Sequence, residues 1–469
     1  LFLTCGFRQT LSKRVVNLTL DSAVDIAINN SFQTKLLQLQ IERSMWWLEA
    51  REASLRTQVY MDVKTPDLQR ISENKWNSAL YRDEIVRTNT ERWQSDLSIK
   101  QPVILFGYPT DGYLSLNYKL YRYTQRDDKK MGIDFYNRLY LKFEQPFFLP
   151  NKLKNDLESA QLNLKRIRLD YVQNRMRIID DIADDYYDLF QLAYLGKLYE
   201  DKIKLLQTIQ QLAHVIVAAD STRKIENTQL ELELSNVRED LIANQATIRN
   251  RTSRVKQRLR LSLDDSLYVD PVVHLEPVDV NFNKALEYGY RNSAQLQRLN
   301  ISKRYNELDV EGEEGRNAFH MTLEMTYGLE KKNHELYNLW EHFDNSNSIT
   351  LNAYIPLWDG GTRRARIQAE KAQVRRTELQ IQEARLDIKN DITNAITNLN
   401  EYYSRAKNME RSLLLADEIT QQALEQYRDG SIPLQNLLQI INRQTDTEVN
   451  FLNAYLGYRR SLLMLTRVT

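Results

Sequence analysis

Few side chains in this sequence could do covalent or metal chemistry, and those few do not cluster. Cys5 is the only cysteine among 469 residues, so no internal disulfide framework and no multi-cysteine metal site can form. It follows Leu1, Phe2, Leu3 and Thr4, a setting that fits the tail of an export signal, a lipid-attachment site, or an inert residue within an N-terminal segment 1–15. The five histidines are scattered without a His-x-x-x-His pair, and neither a glycine-rich phosphate loop nor a Gly-x-Ser-x-Gly elbow occurs. No nucleophile, base and orienting group can be nominated together, so the chain reads as no enzyme, with no cofactor and no metal.

Charge and hydropathy exclude two further classes. Lysine plus arginine (64) almost balances aspartate plus glutamate (63), which leaves no basic field for a nucleic acid. No run of about 18 apolar residues is present, so no helix would cross a bilayer. Glycine (13) and proline (9) are scarce while tyrosine is abundant (26), which suits long helices together with a wet aromatic surface or a membrane-interface belt.

With no cluster to position, the elements themselves carry the information, and they come twice. The stretch Val16, Asn17, Leu18, Thr19, Leu20 with Ala23 returns about 262 positions later as Val278, Asp279, Val280, Asn281, Phe282 with Ala285. Pro146 to Pro150 returns as Pro356 to Gly360 at an offset of about 210. The first copy therefore holds an insertion of roughly 52 residues relative to the second. The repeats are placed at 16–262 and 282–469, with an equatorial linker at 263–281.

In the second repeat, helices over 282–309 lead to two amphipathic strands. Across 318–330, Phe319, Met321, Leu323, Met325, Tyr327 and Leu329 alternate with His320, Thr322, Glu324, Thr326, Gly328 and Glu330. Over 348–358, Ile349, Leu351, Ala353, Ile355 and Leu357 alternate with Thr350, Asn352, Tyr354 and Pro356. The first repeat shows the same near 57–64, at Val59, Met61 and Val63, and over 133–147, at Ile133, Phe135, Leu139, Leu141 and Phe143. Each strand is about nine to eleven residues, the length a tilted strand needs to cross a bilayer, with polar residues on the other face lining water. An amphipathic hairpin on a soluble core is the competing reading of any one pair.

Gly360 and Gly361 end the last strand, and a helical hairpin is expected over 362–467. Ile388, Ile392, Ala395, Leu399, Tyr402, Ala406, Met409, Leu413 and Ala416 recur at spacings of four and three, a heptad seam that predicts left-handed packing on a partner helix. Asp429, Gly430, Ser431, Ile432 and Pro433 supply a C-cap glycine, a capping serine and a helix-starting proline, so the chain reverses there. The matching hairpin of the first repeat is 151–262, with its turn near Asp220 and Ser221. Four amphipathic strands cannot close a barrel alone, and an open edge is not tolerated in lipid. Copies must join.

The chain resembles the TolC family of outer-membrane efflux proteins. The resemblance is carried by Leu18, Thr19, Leu20 and Ala23, by the junction Ile355, Pro356, Leu357, Trp358, Asp359, Gly360 and Gly361, and by the tip Tyr427 to Gly430 followed by Leu437 and Leu438. It implies an α+β membrane protein: a homotrimer in the bacterial outer membrane with a twelve-stranded barrel, four strands per chain, continued by an α-helical coiled-coil barrel in the periplasm. It further implies a periplasmic adaptor and an inner-membrane pump as partners, in efflux or type I secretion. In the family, acidic side chains six and nine residues after the tip glycine often narrow the periplasmic end. Counted from Gly430, those positions are Asn436 and Gln439, neutral amides; in the first repeat Asp220 stands at the glycine's place, followed by Glu226 and Gln229. These four are the candidate gate, with solvated helix surface as the alternative.

Tyr427, Asp429, Gly430, Ser431, Asp220 and Ser221 are the candidate adaptor-contacting tips, with plain helix capping as the competing role. The insertion, about 65–130, is expected to project outside the cell, with Asp111 and Gly112 as a hairpin turn. The function implied is a passive exit duct gated at the helical tips, and the alternative is a sealed trimeric scaffold or receptor in an envelope complex.

Overall fold

The computed structural model describes residues 15–127, 130–219 and 224–469. Cys5, Asp220 and Ser221 lie outside the described residues. The chain forms two compact units, and each draws on both sequence repeats, so the units do not follow the repeat boundaries. Among the described residues, one comprises 15–40, 168–219, 224–298 and 380–469, the other 41–127, 130–167 and 299–379.

The first unit is mainly helical. Strand β1 (Val15–Asn17) pairs in parallel with β6 (Ser266–Tyr268). Helix α1 (Leu20–Asn30) begins with a capping box: Ser22 N–H donates to Thr19 Oγ1 (3.2 Å) and Thr19 N–H to Ser22 Oγ (2.9 Å). Helix α5 (Phe282–Asn292) is capped at the matched position, where Lys284 N–H donates to Asn281 Oδ1 at 3.1 Å. Ala23 and Ala285, also matched, are both buried. The motif is thus a helix start followed by a small residue where the helix is buried.

Helices α3 (Lys152–Ala219, 68 residues), α4 (Lys224–Leu259, 36), α7 (Thr362–Arg428, 67) and α8 (Leu434–Val468, 35) supply most of this unit's core. Ile388, Ile392, Ala395, Leu399 and Ala406 of the heptad seam are buried. Leu399 and Ala395 pack with Tyr458 and Leu465 of α8. A second cluster joins Leu206 and Ile209 of α3, Leu230 and Leu234 of α4, Tyr427 of α7, and Leu434 and Leu437 of α8. Each fully buried leucine or isoleucine contributes about 1.5–3 kcal/mol relative to exposure. α8 approaches α7 closely because residue 457 is glycine: a Cβ there would run into the Tyr402 ring. Among the described residues no helix is long and apolar enough to cross a membrane.

The second unit holds α2 (Phe32–Ala53) in part, α6 (Ala294–Gly315) in large part, and one antiparallel sheet. Its order is β2 (Gln58–Asn77), β3 (Arg82–Leu105), β4 (Tyr108–Asp127), β5 (Lys130–Phe147), β7 (His320–Asn333) and β8 (Asp344–Tyr354). This corrects the sequence reading, which had four strands. The segment 65–130 does not project as a separate hairpin: it lengthens β2 and forms all of β3 and β4, paired side by side between β2 and β5.

Two local features hid these strands. Pro102 stands within β3, and a proline argues against a strand unless a register irregularity absorbs its missing N–H; the shift between Pro102 and Ile104 does so. The β3–β4 reversal lies at Phe106 and Gly107, both with positive φ (51° and 83°), not at Asp111–Gly112. Asp111 instead caps α3, its carboxylate accepting from the backbone N–H of Lys152 and of Leu153 (2.7 Å). Asp359 performs the same task for α7, accepting from Gly361 N–H and Arg363 N–H at 2.9 Å each, and these bonds hold its carboxyl below the usual range.

Candidate functional site

The sheet separates its chemistry by face. On one face Asp96 faces Lys119 (3.8 Å), Arg138 faces Glu330 (3.5 Å), and Lys142 bridges Glu144 (3.1 Å) and Glu324 (3.2 Å). Tyr136 Oη donates to Glu330 at 2.6 Å and stacks on Tyr121, which lies under the Arg92 guanidinium. Gly328 leaves room for Tyr140, whose Cβ a side chain at 328 would meet at 2.5 Å. Acids and bases alternate across this face, which favours water and ions of either sign without building a strong field of one sign.

The other face is oily and uncovered over most of its extent. Val59, Met61, Leu97, Leu116, Leu139, Leu141, Met325 and Ile349 are all exposed. Exposed, laterally continuous apolar side chains opposite a charged face are what a sheet in lipid requires. Near one end the β7–β8 connection folds over this face: Leu339 is buried and its carbonyl accepts from Asn137 Nδ2 at 3.4 Å. Tyr337 and Trp340 remain exposed there, the amphipathic rings that favour a membrane–water boundary.

The helical tips lie in the first unit. α7 ends in a Schellman motif: Ser431 N–H donates to Gln426 O (2.8 Å), and Gly430 N–H to Tyr427 O (3.0 Å), with Gly430 at φ +72°. Gly430→Ala forces a β-carbon into the left-handed region and is expected to lower stability by about 1–2 kcal/mol in a denaturant melt followed by circular dichroism. An unchanged midpoint would show that the turn reshapes freely. Asp429, Gly430 and Ser431 are exposed, as are Gln229, Asn436 and Gln439.

Tyr427 and Glu226 depart from the sequence reading. Tyr427, expected at the adaptor-contacting surface, is fully buried, and Glu226, expected at a solvent-facing constriction, is only 7% exposed. Tyr427 Oη donates to Glu226 Oε2 at 2.9 Å, which ties α7 to α4. A buried carboxylate needs such a donor, and the spacing of single residues could not announce a partner 201 positions away.

Sequence reasoning also missed Glu448. It stands on α8 beside a groove of about 280 Å³ lined by Tyr194, Lys197, Asp201, Lys202 and Gln444. Burial pushes its carboxyl upward, and the negative charges of Asp201 and Asp417 push it further. The folded state then binds a proton more readily than the unfolded one, so this stability contribution is full below the ordinary glutamate range and is lost as pH rises through the elevated value. Glu448→Gln is expected to raise the melting temperature at pH 8 and to leave it unchanged at pH 4. Equal effects at both pH values would remove the electrostatic cause.

A sheet oily on one side and charged on the other, with two pairs of long packed helices, is the arrangement expected of a β-type membrane protein with coiled-coil arms. The solved structures it resembles in fold include outer membrane proteins. Vibrio cholerae VceC, an outer membrane protein, aligns at a TM-score of 0.68 and 14% identity over 96% of this chain and 95% of its own. CusC, described for transmembrane channel formation, aligns at 0.69 and 10% identity over 100% and 95%. The Campylobacter jejuni outer membrane channel CmeC aligns at 0.67 and 15% identity over 96% and 85%. No curated protein matched the sequence. Residues 302–469 match the model of the outer membrane efflux protein family. That match agrees with the TolC resemblance.

Proposed function

We propose that this chain is the exit duct of a tripartite efflux or type I secretion system, a homotrimer that passively conducts substrates from periplasm to exterior. The observation that carries the reading is the two-faced sheet: its charged face would line water and its apolar face would meet lipid. Its neighbours in fold are channels, and with acids and bases paired across the polar face the wall selects weakly. An inner-membrane pump would choose the cargo, and a periplasmic adaptor would engage the exposed tip at Asp429, Gly430 and Ser431. Asn436, Gln439 and Gln229, exposed on α8 and α4, would be the amides that narrow the periplasmic end. Glu226 takes another role, holding Tyr427 inside the tip.

Opening is then a change between two packings of helices around a constriction. Single-channel recording in planar bilayers tests the reading. Ion flow that rises when the tip is loosened supports a duct, whereas a membrane-inserted trimer that never conducts, with tips freed, supports the sealed scaffold.

A further inference from the structure

The sheet of the second unit ends in β2 and β8, and among the described residues each is paired on one side only. An edge strand presents a row of unpaired N–H and C=O groups, and hydrocarbon offers them no water. That edge must be covered wherever it lies in lipid.

The apolar rungs say how much of the sheet lies there. One runs through Met61, Leu97, Tyr118, Leu139 and Leu329, and the next through Val59, Ile99, Leu116, Leu141 and Tyr327. The oily face therefore extends across β3 and β4 on these rungs and reaches β2; on β8 the two rungs end at Asn345 and Asn347, and the apolar face resumes along the strand at Ile349 and Leu351, beside Met325 and Leu323.

Direction and edge chemistry identify the cover. Six antiparallel strands alternate in direction, so β2 and β8 run oppositely. β8 of one copy can then pair with β2 of the next in the same antiparallel sense as every internal pair, which an odd strand number would forbid. Within β2 the pairing with β3 is regular over Gln58–Lys64 and again over Asp67–Asn77; between them the register shifts around Pro66, which has no N–H to donate. Proline and a bulge blunt an edge where pairing is not wanted. Below the bulge β2 stays open over the rungs that face lipid.

We propose that each chain contributes six strands to the barrel wall, that β8 of one copy pairs with Gln58–Lys64 of β2 in a second copy, and that the trimer closes an eighteen-stranded barrel. The count of three rests on the reading under "Proposed function". Barrel diameter grows roughly linearly with strand number, so this mouth is about half as wide again as a twelve-stranded one, in the range where an aqueous channel remains open.

Cysteine pairing in the full-length protein, with Cys5→Ser to remove the native thiol, tests the wall. Ile349→Cys is combined in turn with Val59→Cys, Met61→Cys or Val63→Cys, all on the apolar face, and oxidised in membranes. Covalent dimers and trimers from at least one pairing, with eighteen staves in electron cryo-microscopy of the purified particle, are the expected result. Cross-linking of Ile349→Cys to Leu116→Cys or Leu120→Cys on β4 instead, with twelve staves in a three-chain particle, overturns the six-strand wall and leaves the trimer standing. A native mass of two chains, linked through β2 and β8, overturns both the trimer and the count of eighteen.

Discussion

Replacing Tyr427 by alanine is expected to cost about 3–5 kcal/mol, the range for deleting a buried aromatic ring, and to leave Glu226 without the hydroxyl that donates to it. Tyr427 is fully buried between helices of both hairpins, so its removal opens a cavity where α3, α4, α7 and α8 meet. Tyr427→Phe separates packing from polarity. It keeps the ring and deletes the hydroxyl with its 2.9 Å bond to Glu226, for which a loss of about 1.5–3 kcal/mol is expected because the acceptor is a carboxylate. Thermal or denaturant melts of the two variants rank the terms, and an indistinguishable Tyr427→Phe would mean that the hydroxyl is idle. Under the duct reading both variants also raise the current through the resting particle, with alanine above phenylalanine, because a tip held less tightly splays more often.

The second large effect concerns the sheet. Leu141 lies in the apolar rung with Ile99 and Leu116, and under the duct reading a charge placed there would face hydrocarbon. Leu141→Arg is expected to destabilise the inserted state by about 2–4 kcal/mol, the range for a basic residue near the midplane of a barrel. Ser115→Arg, on the charged face one position along the ladder, adds a base among acids and bases and should insert normally. The yield of assembled protein in the outer-membrane fraction reads both. Equal yields for the pair would deny that the two faces meet different solvents. The same comparison at Ile99 and Ser98 asks whether β3 is wall, since a strand held outside the bilayer would tolerate arginine on either face.

What could be read ahead of the structure follows from how locally each signal is written. The strands β5 and β7 announce themselves because apolar and polar residues alternate from Phe135 to Glu144, interrupted at Asn137, and from Phe319 to Glu330 without a break. The α7 seam announces itself through spacings of four and three, and the turn through Asp429, Gly430 and Pro433. β3 does not. Ser95 and Gln101 interrupt its apolar face, both faces are polar from Arg87 to Glu91, and Pro102 reads as an end to pairing. The strand exists because β2 and β4 flank it in register and satisfy its backbone, which no window of a single strand reveals. Asp111 was legible as a turn residue because aspartate beside glycine favours reversals. Its capping of α3 depends on the β3–β4 hairpin ending beside Leu153.

The sequence by itself determined the periods: two for the sheet, three and a half for the arms, and a duplicated order that pointed to an outer-membrane efflux protein. Period, caps and turn residues act over a few neighbours, so they survive in a one-dimensional reading. Only the tertiary structure decided the strand count, the burial of Tyr427 against Glu226, and the two edges left open at β2 and β8. Those depend on register and on partners as far as 201 residues apart, and backbone pairing and burial are satisfied in space, with no mark left in the local pattern.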